Sequence, residues 1–502
     1  MGTATRDPGL FRDPSGYVLH YGDAIYRSLD LATFDRLNTF LASAIYRQLI
    51  DSADLLPVTV ASDGEREQLA RLEQRDDRHY LRQRRLGLIS YPYEWSPRML
   101  HAAAQCTLRV QSALVAHGLT LKDASAYNIQ FETTGRGPSP IFIDIASIDS
   151  APSRLIWLAH NQFIRHFALP LLLYRQFGHD YRGDFLADLE GANPDAAYRM
   201  TGWARRWLPP FLFLVTVPHL LRGMENKRGP AFDQGLKAPT SPDLERDRYI
   251  LSRLMRRLER LIGRLEPRAR PSDWTGYDAD NSYPAAAFTL KQEFVSRACA
   301  SLKPARMINL GCNLGKFDLI APEHGAEVLA IDLDLASVDV VYDRAREQHA
   351  RIIPLRVDIA APSPAIGWKN RERRSFLERA CRFDCVMALA VVHHLLVTNR
   401  IPLDEVVDLI ARLSNRHVIL ELVDRSDPMF RRLARGNQGL YADLTIAMQE
   451  HAFAERFRII ERCDLEGIPR SLYVMEKRKT DRNARHAHFF PVLGARVPAG
   501  LR

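Results

Sequence analysis

The second half of the chain alternates short apolar runs with stretches of helical spacing, and that order decides its fold class. From Met307 the runs are MINL, EVLAID, IIPLRVD, FDCVMALAV and HVILELV, with a helix after the first run and amphipathic segments near Ala336, Arg371 and Leu403. Nearly continuous apolar strands alternating with helices form βαβ units, in which a parallel sheet is covered on both faces. Two later runs, FRIIERCD at 457–464 and SLYVMEK at 471–477, lie too close together for a parallel crossover and are expected to be antiparallel neighbours. The expected fold is α/β and Rossmann-like, a mostly parallel sheet with an antiparallel last strand.

The first half mixes its periods and reads as a helix-rich α+β domain. FRDPSGYVLHYGDAIYRSL at 11–29 predicts a hairpin with its turn at Pro14 to Gly16, and His101 to His117 keeps helical spacing. The apolar stretch from Trp207 to Leu221 contains Pro209, Pro210 and Pro218 and is shorter than the roughly 20 residues of a membrane-crossing helix, so it is expected in the core. Leu251, Leu254, Leu258, Leu261 and Leu265 form one stripe of a further helix, and EPRARPSDW at 266–274 follows it as the best boundary. These features divide the chain into a first domain at 1–250, a basic helix and linker at 251–273, an α/β domain at 274–478 and a basic tail at 479–502.

Composition narrows the setting. With 502 residues, 46% of them hydrophobic and 26% charged, the chain holds two or three packed domains and is neither fibrous nor wholly disordered. Six cysteines without a CxxC pair exclude a disulfide framework and a zinc ribbon; no metal is expected, and a reducing compartment fits. No charged-then-apolar leader is seen, and Arg6 stands where a myristoylation signal needs Ser or Thr, so the expected location is cytoplasmic. The net charge of +9 is concentrated in 251–270 and 477–502, which leaves the rest of the chain near neutral. A solvated helix face accounts for the first arginine run, so a small-molecule or carbohydrate partner is favoured over nucleic acid.

The candidate chemistry begins where the first α/β strand ends, at Asn309-Leu310-Gly311-Cys312-Asn313-Leu314-Gly315. Such a turn lets backbone N–H groups approach a ligand. A dinucleotide fingerprint needs glycine at 316, where this chain has Lys316. The spacing instead resembles motif I of class I S-adenosylmethionine-dependent methyltransferases, with Asn309 at the acid position and Asn313 at the central glycine. Asn tolerates positive φ, and the Asn309 amide can accept a hydrogen bond from the cofactor's amino group. The resemblance implies S-adenosyl-L-methionine as cofactor, held by Asn309, Gly311, Asn313, Gly315, Asp332 for the ribose (Asp334 is the nearby rival) and Asp358 beside the adenine. His393 or His394, after the fourth strand, is the candidate base for a hydroxyl acceptor, and Glu421 on the fifth strand is the second candidate. No amide clamp of the NPPY kind follows the fourth strand, which argues against N-methylation of adenine or glutamine.

SYPYEWS at 90–96, LKDASAYNIQF at 121–131, the NLGCNLG turn, AVVHHL and the DPM of Asp427 to Met429 together look like the bacterial methyltransferase family that includes NoeA. That resemblance implies a methyltransferase of undefined acceptor with a link to host-specific nodulation. Asp123 and Asn128, followed by Asp144 after a short strand, resemble the catalytic loop and metal-binding aspartate of kinase-like phosphotransferases. Leu121 replaces the usual histidine, and neither a glycine-rich phosphate loop nor a strand lysine precedes it. A degenerate kinase-like domain is therefore expected, whose three residues converge without useful phosphate transfer. The rival functions are a non-catalytic cofactor-binding or scaffold protein and a phosphotransferase centred on Asp123.

Overall fold

The computed structural model describes residues 4–9, 11, 16–150, 156–221, 243–270, 283–380 and 383–478. The basic tail at 479–502, the proposed turn residues Pro14 and Ser15, the linker from Pro271 and Cys381 lie outside the described residues.

The first half opens with strands β1 (Thr5–Arg6), β2 (Gly16–Tyr21), β3 (Ala24–Leu29), β4 (Val58–Val60) and β5 (His79–Arg84), which form one antiparallel sheet in the order β1-β2-β3-β5-β4. The hairpin of β2 and β3 turns at Gly22 and Asp23, not at Pro14 to Gly16. Gly22 supplies the positive φ of 59° that a tight hairpin turn needs, whereas Gly16 already pairs with Leu29. Helix Pro97–Ala116 follows, its first turn closed by the Ser96 side chain and by proline at the first helical position. Short pairs β6 (Leu119–Leu121) with β9 (Ile148–Ser150), and β7 (Ile129–Thr134) with β8 (Gly137–Phe142), complete the strands of this half.

The second half carries β10 (Arg306–Leu310), β11 (Glu327–Asp332), β12 (Ile352–Arg356), β13 (Phe383–Ala388), β14 (Ser414–Val423), β15 (Phe457–Asp464) and β16 (Arg470–Lys477). They form one sheet in the order β12-β11-β10-β13-β14-β16-β15, and β16 alone runs against its neighbours. This is the strand order of the class I methyltransferase fold, as the apolar pattern led one to expect. Because successive side chains point to opposite faces, Met307, Val328, Ala330 and Ile352 pack beneath helix Ala285–Leu302, while Ile308, Leu329, Ile331 and Ile353 face the other way. That second face shares one apolar cluster with Trp95, Phe131 and the core of the first half.

The two halves are therefore welded along a buried seam. SYPYEWS supplies much of it: Glu94, fully buried, forms an ion pair with Arg379, which also lies 4.2 Å from the Tyr91 ring centre and donates to the Ile89 carbonyl. Arg98 donates its backbone N–H to Asp339 at 3.1 Å and pairs with Asp343 at 3.0 Å, both on helix Leu335–Glu347. Gly137 permits close approach to the same helix, since a Cβ there would stand 2.5 Å from the Ala345 carbonyl oxygen.

Three expectations change in detail. Helix Leu244–Arg264 buries Leu251 and Leu258 as expected, but Met255 and Ile262 fill the stripe where Leu254 and Leu261 stay half-buried, because the inward face runs along the i, i+4, i+7 positions counted from Leu251. The stretch 207–221 is not wholly core. Phe211, Leu214 and Val215 are buried, but Trp207, Leu208, Phe213, Leu220 and Leu221 are exposed, since only one side of this short helical segment meets the rest of the protein. Near Arg371 the helix is only a short turn at Trp368–Asn370 and one at Phe376–Arg379. Among the described residues no helix is long and apolar enough to cross a membrane.

The seam makes a stability prediction. Removing one partner of a buried ion pair leaves the other charge uncompensated, so Arg379→Met should cost about 3–5 kcal/mol. Glu94→Gln together with Arg379→Met should recover part of the loss. Thermal unfolding of the two variants beside the wild type checks both directions.

Candidate active site

A cavity of about 290 Å³ opens where the carboxyl ends of β10, β11 and β13 meet, the edge at which open α/β sheets hold ligands. Asn309, Gly311, Asn313, Asp332, Asp358 and His394 all line it. Gly315 does not; it closes the turn behind the cavity, with φ of 74° and a hypothetical Cβ only 2.8 Å from Val341 Cγ2. His393 and Glu421 are also absent from the lining.

The turn adopts the left-handed conformation that its sequence requires. Gly311 has φ of 74° and Asn313 has φ of 47°, so asparagine keeps the bend at the usual glycine position. A Cβ at Gly311 would stand 3.2 Å from Val391 Cγ2, and glycine keeps that approach open. Asp332 accepts from the Asn313 backbone N–H at 2.8 Å and from that of Asp334 at 2.9 Å, which ties the end of β11 to the turn. Burial raises the Asp332 pKa, and these backbone hydrogen bonds oppose the shift. Asp334 is the N-cap of helix Leu335–Glu347, bonded to the Ser337 N–H and hydroxyl at 2.9 and 2.7 Å, and it does not line the cavity. Asp358 lies just beyond β12 and accepts from the Ala360 N–H at 2.9 Å. Asn309 donates to both oxygens of Asp318, while its own Oδ1 is buried with no hydrogen-bond partner among the described residues, as is that of Asn313.

The two histidines separate. His393 is 2% exposed and neither ring nitrogen has a partner among the described residues; burial first, then His394, pushes its pKa well down. His394 reaches the cavity, its pKa also lowered by burial and then by Arg470. Glu421 is fully buried and held by Lys291 at 2.6 Å and by the Tyr283 hydroxyl at 2.5 Å. Arg470 joins this network through Tyr283 and through Asp427 at 2.8 Å, so two cations and two carboxylates are packed together, and Lys291 itself lines the cavity. Burial lowers the Lys291 pKa despite Glu421, and raises that of Tyr283. Sequence reasoning missed Tyr283, Lys291 and Arg470, which have no fixed spacing to the turn; only Asp427, through the DPM motif, was a signal.

In the first half, Asp123, Asn128 and Asp144 do come together. Asn128 donates to Ser147 at 3.4 Å, Ser147 donates to Asp144, and Asp123 feels both Asn128 and the Asp144 charge, with burial as the main cause of its raised pKa. Arg27, on β3, forms an ion pair with Asp144. Among the described residues no group of three or more His, Cys, Asp or Glu side chains is arranged to hold a metal ion.

The residues fit S-adenosylmethionine on the chemistry of the donor set. Buried acceptors at Asn309 and Asn313 lack donors, a carboxylate at the end of β11 faces the cavity, and the Gly311 approach is clear. Asp332→Ala should weaken cofactor binding by one to two orders of magnitude, because charge-assisted hydrogen bonds contribute about 1.5–3 kcal/mol. Asp334→Ala should instead lower stability by about 1 kcal/mol through the lost cap and leave affinity nearly unchanged. Calorimetry and thermal melting of both variants separate these outcomes.

No family model matches the chain. Over 474 residues it is 33% identical to the nodulation protein NoeA of Rhizobium meliloti (strain 1021), a match that covers 94% of this chain and 96% of that protein. Over 212 residues it is 26% identical to the O-antigen chain terminator bifunctional methyltransferase/kinase WbdD of Escherichia coli, which covers 41% of this chain and 27% of that protein. Among solved structures, the N-methyltransferase NodS of Bradyrhizobium japonicum WM9 with S-adenosyl-l-homocysteine is 14% identical, covering 42% of this chain and 94% of that one at a TM-score of 0.31. The first match runs almost end to end in both proteins, and on that ground the chain, with its class I methyltransferase fold, belongs to the NoeA family.

Proposed function

We propose that this protein transfers the methyl group of S-adenosylmethionine to a hydroxyl of a small-molecule or carbohydrate acceptor, in a process connected with nodulation as the name of its NoeA relative suggests. The observation that carries this reading is that one cavity is lined both by the Asn309 to Asn313 turn and Asp332 and by an imidazole, His394. Tyr283, Phe288 and Phe317 line the same cavity, and aromatic faces of this kind suit the C–H face of a sugar ring. Thr398 and Asn399 add hydrogen-bonding groups for hydroxyls.

When bound, S-adenosylmethionine supplies a methyl group on a positively charged sulfur that leaves as a neutral thioether. The protein has to align the acceptor oxygen with that carbon and exclude water. As the new O–C bond forms, the hydroxyl proton passes to His394, which its burial keeps neutral at pH 7 and thus able to accept it. Glu421, the other candidate base, is assigned to positioning, because its oxygens are engaged by Lys291 and Tyr283. Residues 1–250 are read as the acceptor-recognition part and 274–478 as the methyltransferase part, joined by the 251–273 helix and linker.

The phosphotransferase alternative draws on the convergence of Asp123, Asn128 and Asp144, and on the printed activities of the WbdD relative. The Arg27 guanidinium already neutralises Asp144, the residue that would hold Mg²⁺, and this favours the methyltransferase reading. Incubating the full chain with Mg²⁺ and labelled ATP should give no transfer; Asp123-dependent phosphorylation would promote the alternative.

The methyl-transfer reading predicts a pH profile. His394 must be unprotonated, so the rate should rise with pH through a value below the ordinary 6.5 and then level off. His394→Ala should lower kcat by about 10²–10⁴-fold, erase that acid limb and leave cofactor affinity within a few-fold. Transfer of a labelled methyl group to a panel of glycans and small hydroxylated acceptors, followed across pH 5–8, is the test. Full activity in His394→Ala would remove the assigned base.

A further inference from the structure

We propose that Asp318, acting through the side-chain amide of Asn309, supplies the negative charge that holds the ammonium group of the cofactor, in place of the carboxylate that the corresponding turns carry at the end of their first strand. The inference rests on the S-adenosylmethionine reading of the cavity and names a positioning residue within it.

Asn309 and Asp318 are 3% and 0% exposed. The Asn309 amide nitrogen donates to both Asp318 oxygens, at 3.0 and 2.9 Å. When ionised the carboxylate can only accept, so in that state this contact fixes the orientation of the amide: nitrogen toward Asp318, oxygen away from it. That oxygen is the buried atom without a partner among the described residues, on a residue that lines the cavity. An amide whose N–H bonds a carboxylate is polarised toward its oxygen, which strengthens it as an acceptor for a cation.

The carboxylate itself lacks compensation. The titratable groups that act on it are Asp332, of like charge, and the buried thiol of Cys312. Burial first, opposed by hydrogen bonds from Asn309 and from its own backbone N–H, and then Asp332 bring its pKa up to about 7. A buried carboxylate bonded only by neutral groups, the Asn309 amide and its own backbone N–H, is unfavourable for the fold, and it gains its counter-charge when an ammonium enters the cavity. The charge that motif I places at position 309 is thus retained at position 318, one residue deeper.

The direction of linkage makes this distinguishable from a structural role. The folded-state pKa is raised, so Asp318 supports the fold fully only below its unfolded value of about 3.9, and that support is lost as pH rises through about 7. Asp318→Asn should therefore raise the melting temperature at pH 8 while it weakens cofactor binding. An ordinary structural residue would move both in the same direction.

The experiment titrates the full chain calorimetrically with S-adenosylhomocysteine at pH 6.5, where the ligand amine is already an ammonium, in two buffers of different ionisation enthalpy. The wild type should release part of a proton on binding, as Asp318 ionises against the arriving cation. Asp318→Asn should bind at least about tenfold more weakly and release none, and Asn309→Asp/Asp318→Asn, which returns the charge to position 309, should regain affinity to within a few-fold. Wild-type binding without proton release overturns the proposal and needs no variant. Wild-type affinity in folded Asp318→Asn overturns it as well, with the cofactor reading intact. No binding by the wild type of either S-adenosylhomocysteine or S-adenosylmethionine would bring down the cofactor reading and this inference together.

Discussion

The buried ion pair between Glu94 and Arg379 is the constraint around which the two halves are arranged. Two charges removed from water are tolerable only with close geometry and additional hydrogen bonds, and both are met: Glu94 accepts from the Tyr91 N–H, and Arg379 lies over the Tyr91 ring and bonds a backbone carbonyl. Arg379 belongs to the connection between β12 and β13, and Glu94 to the segment that leads into helix Pro97–Ala116. Fixing one against the other brings that helix onto Leu335–Glu347, which Asp334 and Asp332 in turn connect to the Gly311–Gly315 turn. The geometry of the cavity therefore depends on a contact made well away from it in sequence.

A second concentration of buried charge lies at the cavity wall, which Lys291 itself lines. Lys291, Arg470 and the Glu421–Asp427 segment come from three separate parts of the chain, and the four charges balance. Tyr283 joins them and also lines the cavity, so the network holds a surface-forming side chain in one orientation. Preorganisation of this kind lowers the reorganisation needed when an acceptor is aligned. The Asn309 and Asp318 pair differs, because no cation lies among the groups that act on the Asp318 carboxylate.

The contrast between the histidines shows how placement assigns roles that adjacency in sequence leaves open. His393 and His394 sit at the start of the short helix Val392–Val397, with ring centres 4.3 Å apart. Consecutive helical positions point about 100° apart, so one ring turns into the apolar interior and the other toward the cavity. A motif that names both residues equally is resolved by the direction of a helix.

What the sequence determined by itself was everything governed by local periodicity: the alternation of apolar runs and helices, the antiparallel pair at the end, and a turn whose glycines and Asn313 take positive φ. Asn309, Gly311, Asn313, Asp332, Asp358 and His394 were legible for the same reason, since each stands at or near the end of a strand that pattern alone defines. Tertiary structure decided the rest. Asp332 faces the cavity and Asp334 caps a helix because the chain leaves β11 at Asp332 and enters helix Leu335–Glu347 directly after Asp334. Which side of 207–221 is buried, and which distant residues Lys291, Arg470 and Asp318 neutralise or leave unneutralised, depends on contacts between segments far apart in the chain. Side-chain charge is compensated in space, and linear spacing carries no record of it.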